Sequence, residues 1–373
     1  MDRTLVDRYL PPLRAARTAN LEAFVGFDGF VDEIIHAVDK RHDPDRYDRV
    51  TSLEGLGQRI VAAAGRSANL ELVAKQVKIG GNGPIMANAL CALGLNVKYM
   101  GALGRSAIHP VFNPLAERAR VWSISDPGHT DALEFDDGKL LLGKYAHLKD
   151  LNWDLICREV GADAFADILA PCQLVAMVNW TMCPGLSDIW RNLLARFRAA
   201  PPRRRALMMV DLADPEKRTP ADIREAMQLV AGFEQWFDVV LGLNEKEGDE
   251  VAEVMAVRAH GEDDHERVAR VAEGLQKAIG VGTVVVHPRT FAAAASAGDA
   301  RAIVVDGPFT ETPLISTGAG DHFNAGFATG RLLGLGNEGA LVCGVLASGY
   351  YVRTAHSASL AELAEFLVAE AEA

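Results

Sequence analysis

With 373 residues, 49% hydrophobic and 24% charged, the chain has the composition of a globular protein able to bury one large core or two ordinary ones. Its 50 acidic against 38 basic residues leave a formal charge of -12. That balance disfavours attraction to nucleic acid or to an anionic membrane face, and neither is expected as a partner.

Met1–Asn20 alternates charged with apolar residues and lacks the continuous apolar stretch of a signal peptide. No later run reaches the roughly 18 apolar residues of a membrane-crossing helix. Cys91, Cys157, Cys172, Cys183 and Cys343 are scattered without paired spacing, which suits reduced thiols and a cytoplasmic location. Short apolar runs read as buried strands: "AFVGF" from Ala23, "VKYMGAL" from Val97, "CQLVAMVNW" from Cys172, "ALMMVDL" from Ala206, "VVLGLN" from Val239 and "TVVVH" from Thr283. Between them, stretches such as "NALCALG", "SDIWRNLLARF" and "IREAMQLVAGFEQWF" place apolar residues at helical spacing. Parallel strands need crossover connections, so this alternation predicts an α/β chain with a mostly parallel sheet, its sites at the carboxyl ends of strands. The pattern breaks between about Ser106 and Asp150, where "TDALEFDDGKLLLGKY" flanks Asp137-Gly138 with two extended runs and predicts an antiparallel hairpin. The arginine-rich Pro201–Ala206 and the charged "RAHGEDDHERVAR" from Arg258 read as solvated surface.

The segment "STGAGDHFNAGF" carries the chemistry. Gly318, Ala319 and Gly320 bring backbone N–H groups close to an anion, and the helix that follows adds its positive dipole end. A carboxylate beside that site, Asp321, would repel the anion unless it takes a proton from an attacking hydroxyl; the bland reading is an N-cap. Earlier, "KIGGNGPIMANALCALG" sets Gly80, Gly81 and Asn82 ahead of another helix.

Together these two segments resemble the paired signatures of the ribokinase-like carbohydrate kinases, also called the phosphofructokinase-B type, over roughly Ala23 to Thr354. The resemblance implies a three-layer sandwich with a mostly parallel central sheet and a small β lid, the chain 1–373 forming one kinase domain with lid inserts within about 30–55 and 106–150. It implies a sugar-like substrate oriented by Asp32 or Asp28 and by Gly80, Gly81, Asn82 and Asn88. Asn244 and Glu247 of "LNEKEG" would arrange Mg2+ through its waters, although the same letters suit a helix cap. Asp211, Asp214 and Arg218 correspond loosely to an Asp-x-Asn-x-Arg region; Asp214 is a candidate phosphate-side contact or a loop cap. Thr317, His287 and Arg289 complete the nucleotide side, Arg289 reading equally as a surface arginine.

Two departures stand out. Ile85 occupies the place of the family's second asparagine, with Asn88 the nearest on that helix, and His287-Pro288-Arg289 replaces the usual Thr-x-Gly after the donor strand. Both resemble the ADP-dependent sugar kinases, a branch of the same superfamily, so ATP is the first choice of donor and ADP stays open. The lid implies water exclusion, and its edge a homodimer. A nucleoside or vitamin-alcohol kinase and an inactive kinase-like binding protein remain as alternatives. A dinucleotide-dependent dehydrogenase is disfavoured, because no Gly-x-Gly-x-x-Gly follows the first strand.

Overall fold

All six runs read as strands lie in one sheet of the computed structural model, which describes residues 1–372. Along the chain the strands are β1 (Glu22–Phe27), β2 (Phe30–Arg41), β3 (Tyr47–Arg49), β4 (Leu72–Gly80), β5 (Asn96–Gly101), β6 (Arg120–Ser123), β7 (Gly128–Phe135), β8 (Gly138–Lys144), β9 (Leu174–Met177), β10 (Ala206–Asp211), β11 (Phe237–Asn244), β12 (Thr283–His287), β13 (Phe291–Ser296) and β14 (Ile303–Asp306). Nine of them form the main sheet in the order β14-β13-β12-β11-β10-β9-β1-β5-β6, all running in one direction except β13, which is antiparallel to both its neighbours. β1 sits between β9 and β5, so the chain winds outward from it in both directions and leaves a crevice at its carboxyl end.

Both sheet faces are covered, which explains why the central strands are apolar without alternation. Phe24, Met208, Leu241 and Val284 point into one core with the helices Leu186–Ala199, Pro220–Gly232 and Asp264–Ile279. Their neighbours Val25, Met209, Val240 and Val285 point into the other, with Asn82–Ala92, Ala319–Leu332 and Gly336–Thr354. The α/β three-layer expectation holds. β13 was not anticipated: "FAAAAS" is rich in the best helix former, yet both its faces are buried, Ala292 and Ala294 in one core and Ala293 and Ala295 in the other. Small side chains there let helices approach both faces, and that packing overrides propensity.

The second sheet is the lid, with order β3-β2-β7-β8 and β4 pairing β2. Its strands occupy 30–49, 72–80 and 128–144, which corrects the expected 30–55 and 106–150. Residues 106–127 instead contribute β6 to the edge of the main sheet, and the run ending at Gly80 is a lid strand. The hairpin is present with its turn one residue earlier than read, at Asp136-Asp137, because Phe135 pairs with Gly138. Leu56 from the helix Leu53–Ala62 packs on Ile35, Ala37, Leu133 and Phe135, giving the lid its own small core. Among the described residues no helix is long and apolar enough to cross a membrane, and the cysteines are free.

Candidate active site

Each strand around the crevice delivers a polar residue from its carboxyl end. Asp28 follows β1, Asn179 follows β9, Asp211 closes β10, Asn244 closes β11 and His287 closes β12. A cleft of about 580 Å3 opens there, lined by Asn82, Asp211, Asn244, Glu247, His287, Arg289 and the turn Gly318–Asp321.

Gly318 adopts φ 93°, the left-handed region, and a Cβ there would sit 3.1 Å from Ile85 and 3.3 Å from the Tyr351 hydroxyl. Ile85, the departure from the family pattern, thus packs under the turn. Gly318 is the N-cap of the helix Ala319–Leu332 and offers no side-chain cap, so Asp321 lies inside the first turn and the bland N-cap reading does not apply. The Ala319 N–H is spent on the Ser316 carbonyl at 3.2 Å. The Gly320 amide expected to meet an anion stays free, and that of Asp321 joins it, in the helical turn whose N–H groups lack intrahelical partners. Asp321, 6% exposed, lines the cleft together with Asn82, so the two sequence signatures meet at this site.

Four carboxylates are buried together: Asp28 at 0% exposure, Asp211 and Glu247 at 5% and Asp321 at 6%. Burial pushes the Asp321 carboxyl well up, with Asp211 and Asp28 adding repulsion. Burial and then Glu247 do the same to Asp211. One Asp211 oxygen accepts from Asn324 Nδ2 at 2.8 Å, while Oδ1 is buried without a partner. Glu247 accepts the Asp214 N–H at 2.8 Å and the Asn244 N–H at 3.0 Å, and Asn244 Oδ1 takes the Glu247 N–H at 3.0 Å. The cap anticipated at this spot is therefore real, and it also fixes Glu247 facing the cleft.

The remaining expected residues separate into those at the cleft and those beside it. Asp28 does not line it: its oxygens accept the Gly83 N–H at 2.8 Å and Asn179 Nδ2 at 2.6 Å, holding the start of the helix Asn82–Ala92. A Cβ on Gly81 would come 2.7 Å from that carboxyl, so the glycine is required by Asp28. Burial raises Asp28 to about 6 against these hydrogen bonds. Asp32 lies across from Lys78 and Thr130 on neighbouring lid strands, directly over Gly80, and burial raises it also. Asn88 is engaged by Arg118 and Ser357 and does not reach the cleft. Asp214 is displaced as well: its carboxylate is paired with Lys217 and Lys246 at 2.8 and 3.0 Å. Lys246 also meets Glu216 and Glu250, so the acidic trio Asp214, Glu216 and Glu250 already holds a cation. The His287 ring stacks on Phe323 at 4.5 Å and borders Gly320, its Nε2 buried without a partner; burial lowers it to about 4. Arg289 lies over Phe309 at 5.8 Å on the cleft wall, and Thr317 is exposed with its carbonyl accepting from Tyr351 at 3.2 Å. Asn179, in the left-handed region at φ 60°, and Asn324 were not singled out; only contact across strands gives them their place.

Solved structures share this architecture. The ribokinase of Cryptococcus neoformans in complex with ADP superposes with a TM-score of 0.64 at 18% identity, covering 92% of this chain and 99% of that one. Ribokinase of Arabidopsis thaliana complexed with ribose and ATP gives 0.62 at 16%, covering 94% and 99%. With this fold and the relatives below, the chain is a carbohydrate kinase. More narrowly, it belongs to the prokaryotic ketohexokinase family, whose model matches residues 13–369. Ketohexokinase of Haloferax volcanii is 31% identical over 352 residues, spanning 91% of this chain and 89% of that protein.

Proposed function

We propose that the whole chain works as one kinase unit that transfers the terminal phosphoryl group of ATP to a hydroxyl of a ketohexose, with Asp321 as general base. The observation that carries this reading is a single juxtaposition: the buried Asp321 carboxylate shares the mouth of the cleft with the unpartnered amides of Gly320 and Asp321. The choice of a ketohexose rests on the family and on the activity named for the Haloferax relative.

In this reading the sugar lies between Asp32, Asn82 and the Gly80-Gly81 backbone under the lid, which excludes water as a competing acceptor. Asp321 accepts the hydroxyl proton as the oxygen attacks in line, helped by a carboxyl already driven toward proton uptake by burial. The Gly320 and Asp321 N–H groups stabilise charge on the transferring group. His287, kept neutral, donates or accepts beside Gly320, and Arg289 with Thr317 borders the nucleotide. Asp211, Asn244 and Glu247 line the cleft together, Asp211 with one orphaned oxygen, and these hard oxygen donors fit a divalent cation held largely through its waters. Asp211 would hold Mg2+ together with Glu247 and Asn244 through water, and the ion would offset phosphate charge when bound. The free cysteines support a cytoplasmic setting. The exposed Leu141, on a lid strand, supports a homodimer through that sheet.

Incubation with fructose, other ketohexoses, aldohexoses, ribose and nucleosides, each with Mg2+ and either ATP or ADP, tests the proposal through phosphorus NMR of the product. Phosphorylated ketohexose made with ATP is expected. Turnover of nucleosides alone, or of no acceptor, refutes it, and turnover with ADP alone reassigns the donor.

A further inference from the structure

We infer that His322 is a positioning residue for the anion-binding turn, the last link of a one-way chain of hydrogen bonds that begins at Arg118; the inference rests on the kinase reading of that turn. The His322 ring lies flat on Tyr351, with centroids 3.6 Å apart and planes at 14°. Its Nδ1 is 2.7 Å from the Gly318 carbonyl oxygen. A carbonyl only accepts, so Nδ1 carries the hydrogen, and in the neutral ring Nε2 must be the acceptor. The Ser357 hydroxyl, 2.9 Å away, is its donor. Ser357 Oγ accepts in turn from Asn88 Nδ2 at 3.5 Å, and Arg118 donates to Asn88 Oδ1. Every member donates to the next, and the sequence ends on Gly318.

The consequence lies in the backbone. Gly318 O also accepts the His322 N–H at 3.1 Å, and Tyr351, the ring beneath His322, donates to the Thr317 carbonyl at 3.2 Å. In a planar trans peptide the N–H points opposite to the carbonyl of the same unit. Fixing the carbonyls of Thr317 and Gly318 therefore fixes the amides of Gly318 and Ala319, the latter already bound to Ser316. Glycine at φ 93° is the residue most free to rotate away, and these bonds remove that freedom just ahead of the Gly320 and Asp321 amides. His322 is 2% exposed and does not itself line the cleft, so it acts through Gly318, which does, and not on the substrate. Ser357 lies between the helices Gly336–Thr354 and Leu360–Glu372, which ties the C-terminal helices to the reacting end of the cleft. Asn88, expected at the sugar, finds its use here.

The test compares His322→Phe, which keeps the stack on Tyr351 and loses the donor, with His322→Asn, which retains an N–H near the Nδ1 position. For His322→Phe, kcat should fall by about tenfold or more while both KM values stay within about twofold, the pattern of an interaction realised in the transition state. Affinity for Mg-ADP with aluminium fluoride, a mimic of the transferring group, should fall by a similar factor, with Mg-ADP alone nearly unchanged. His322→Asn should recover to within about threefold of wild type. Wild-type kcat in His322→Phe overturns the inference, as does a loss spread equally over kcat, KM and melting temperature without rescue by asparagine. Absence of sugar turnover in the wild type would instead sink the kinase reading, and the aluminium fluoride measurement still reads the brace separately.

Discussion

Replacing Asp321 by asparagine removes the proton acceptor while keeping shape and burial. General-base assistance is worth about 10²–10⁴-fold, or roughly 3–5.5 kcal/mol of barrier, and kcat should drop by that range. Stability should move the other way. The carboxyl is 6% exposed, with Asp211 and Asp28 nearby, and burial followed by their repulsion opposes its ionisation, so a neutral amide relieves a strained arrangement. The melting temperature should hold or rise, and nucleotide affinity, which draws on the turn amides, should stay within about twofold. Coupling ADP release to NADH oxidation reads kcat, and calorimetry with ADP reads binding. A variant keeping more than about a tenth of wild-type kcat refutes the assignment of the base. So does one whose activity falls only because nucleotide binding is lost.

Asp32→Ala should raise the ketohexose KM by about tenfold and leave the nucleotide KM within about twofold, since the carboxylate faces the lid and not the phosphates; equal changes in both would exclude Asp32 from the sugar side. Asp28 titrates near 6 in the fold against an ordinary 3.8, so the folded chain binds that proton more tightly than the unfolded one and loses stability as pH rises between those values. At about 1.36 kcal/mol per unit this is at most about 3 kcal/mol. The melting temperature of Asp28→Asn relative to wild type should therefore climb between pH 4 and pH 7 in calorimetric scans, and a difference that shrinks with pH contradicts the linkage. Leu141, 61% exposed on the lid strand paired to β7, is the place to break a lid dimer. Leu141→Lys should convert a dimer to a monomer in size exclusion with light scattering, and a wild type that elutes only as monomer removes the dimer.

Sequence alone carried the layer architecture, because strands buried on both faces must be apolar throughout and the crossovers between them must be helical. It also carried the anion turn: three glycines and an aspartate in thirteen letters, Ile315 to Phe327, permit the left-handed conformation that Gly318 adopts. Tertiary structure decided what each carboxylate does. Asp28 and Asp32 stand four positions apart in one segment, yet pairing of β2 with β4 and β7 turns Asp32 to the lid, while Gly83 and Asn179 claim Asp28. Asn88 likewise takes its place from Arg118 and Ser357, which are distant in the chain and hold its amide away from the cleft. The gathering of Asp211, Glu247 and Asp321 from three separate strands and helices could not be read from spacing, because the repulsion among them exists only once the sheet brings their carboxyl ends to one edge. Local conformation is set by neighbours in the chain, but charge placement is set by neighbours in space.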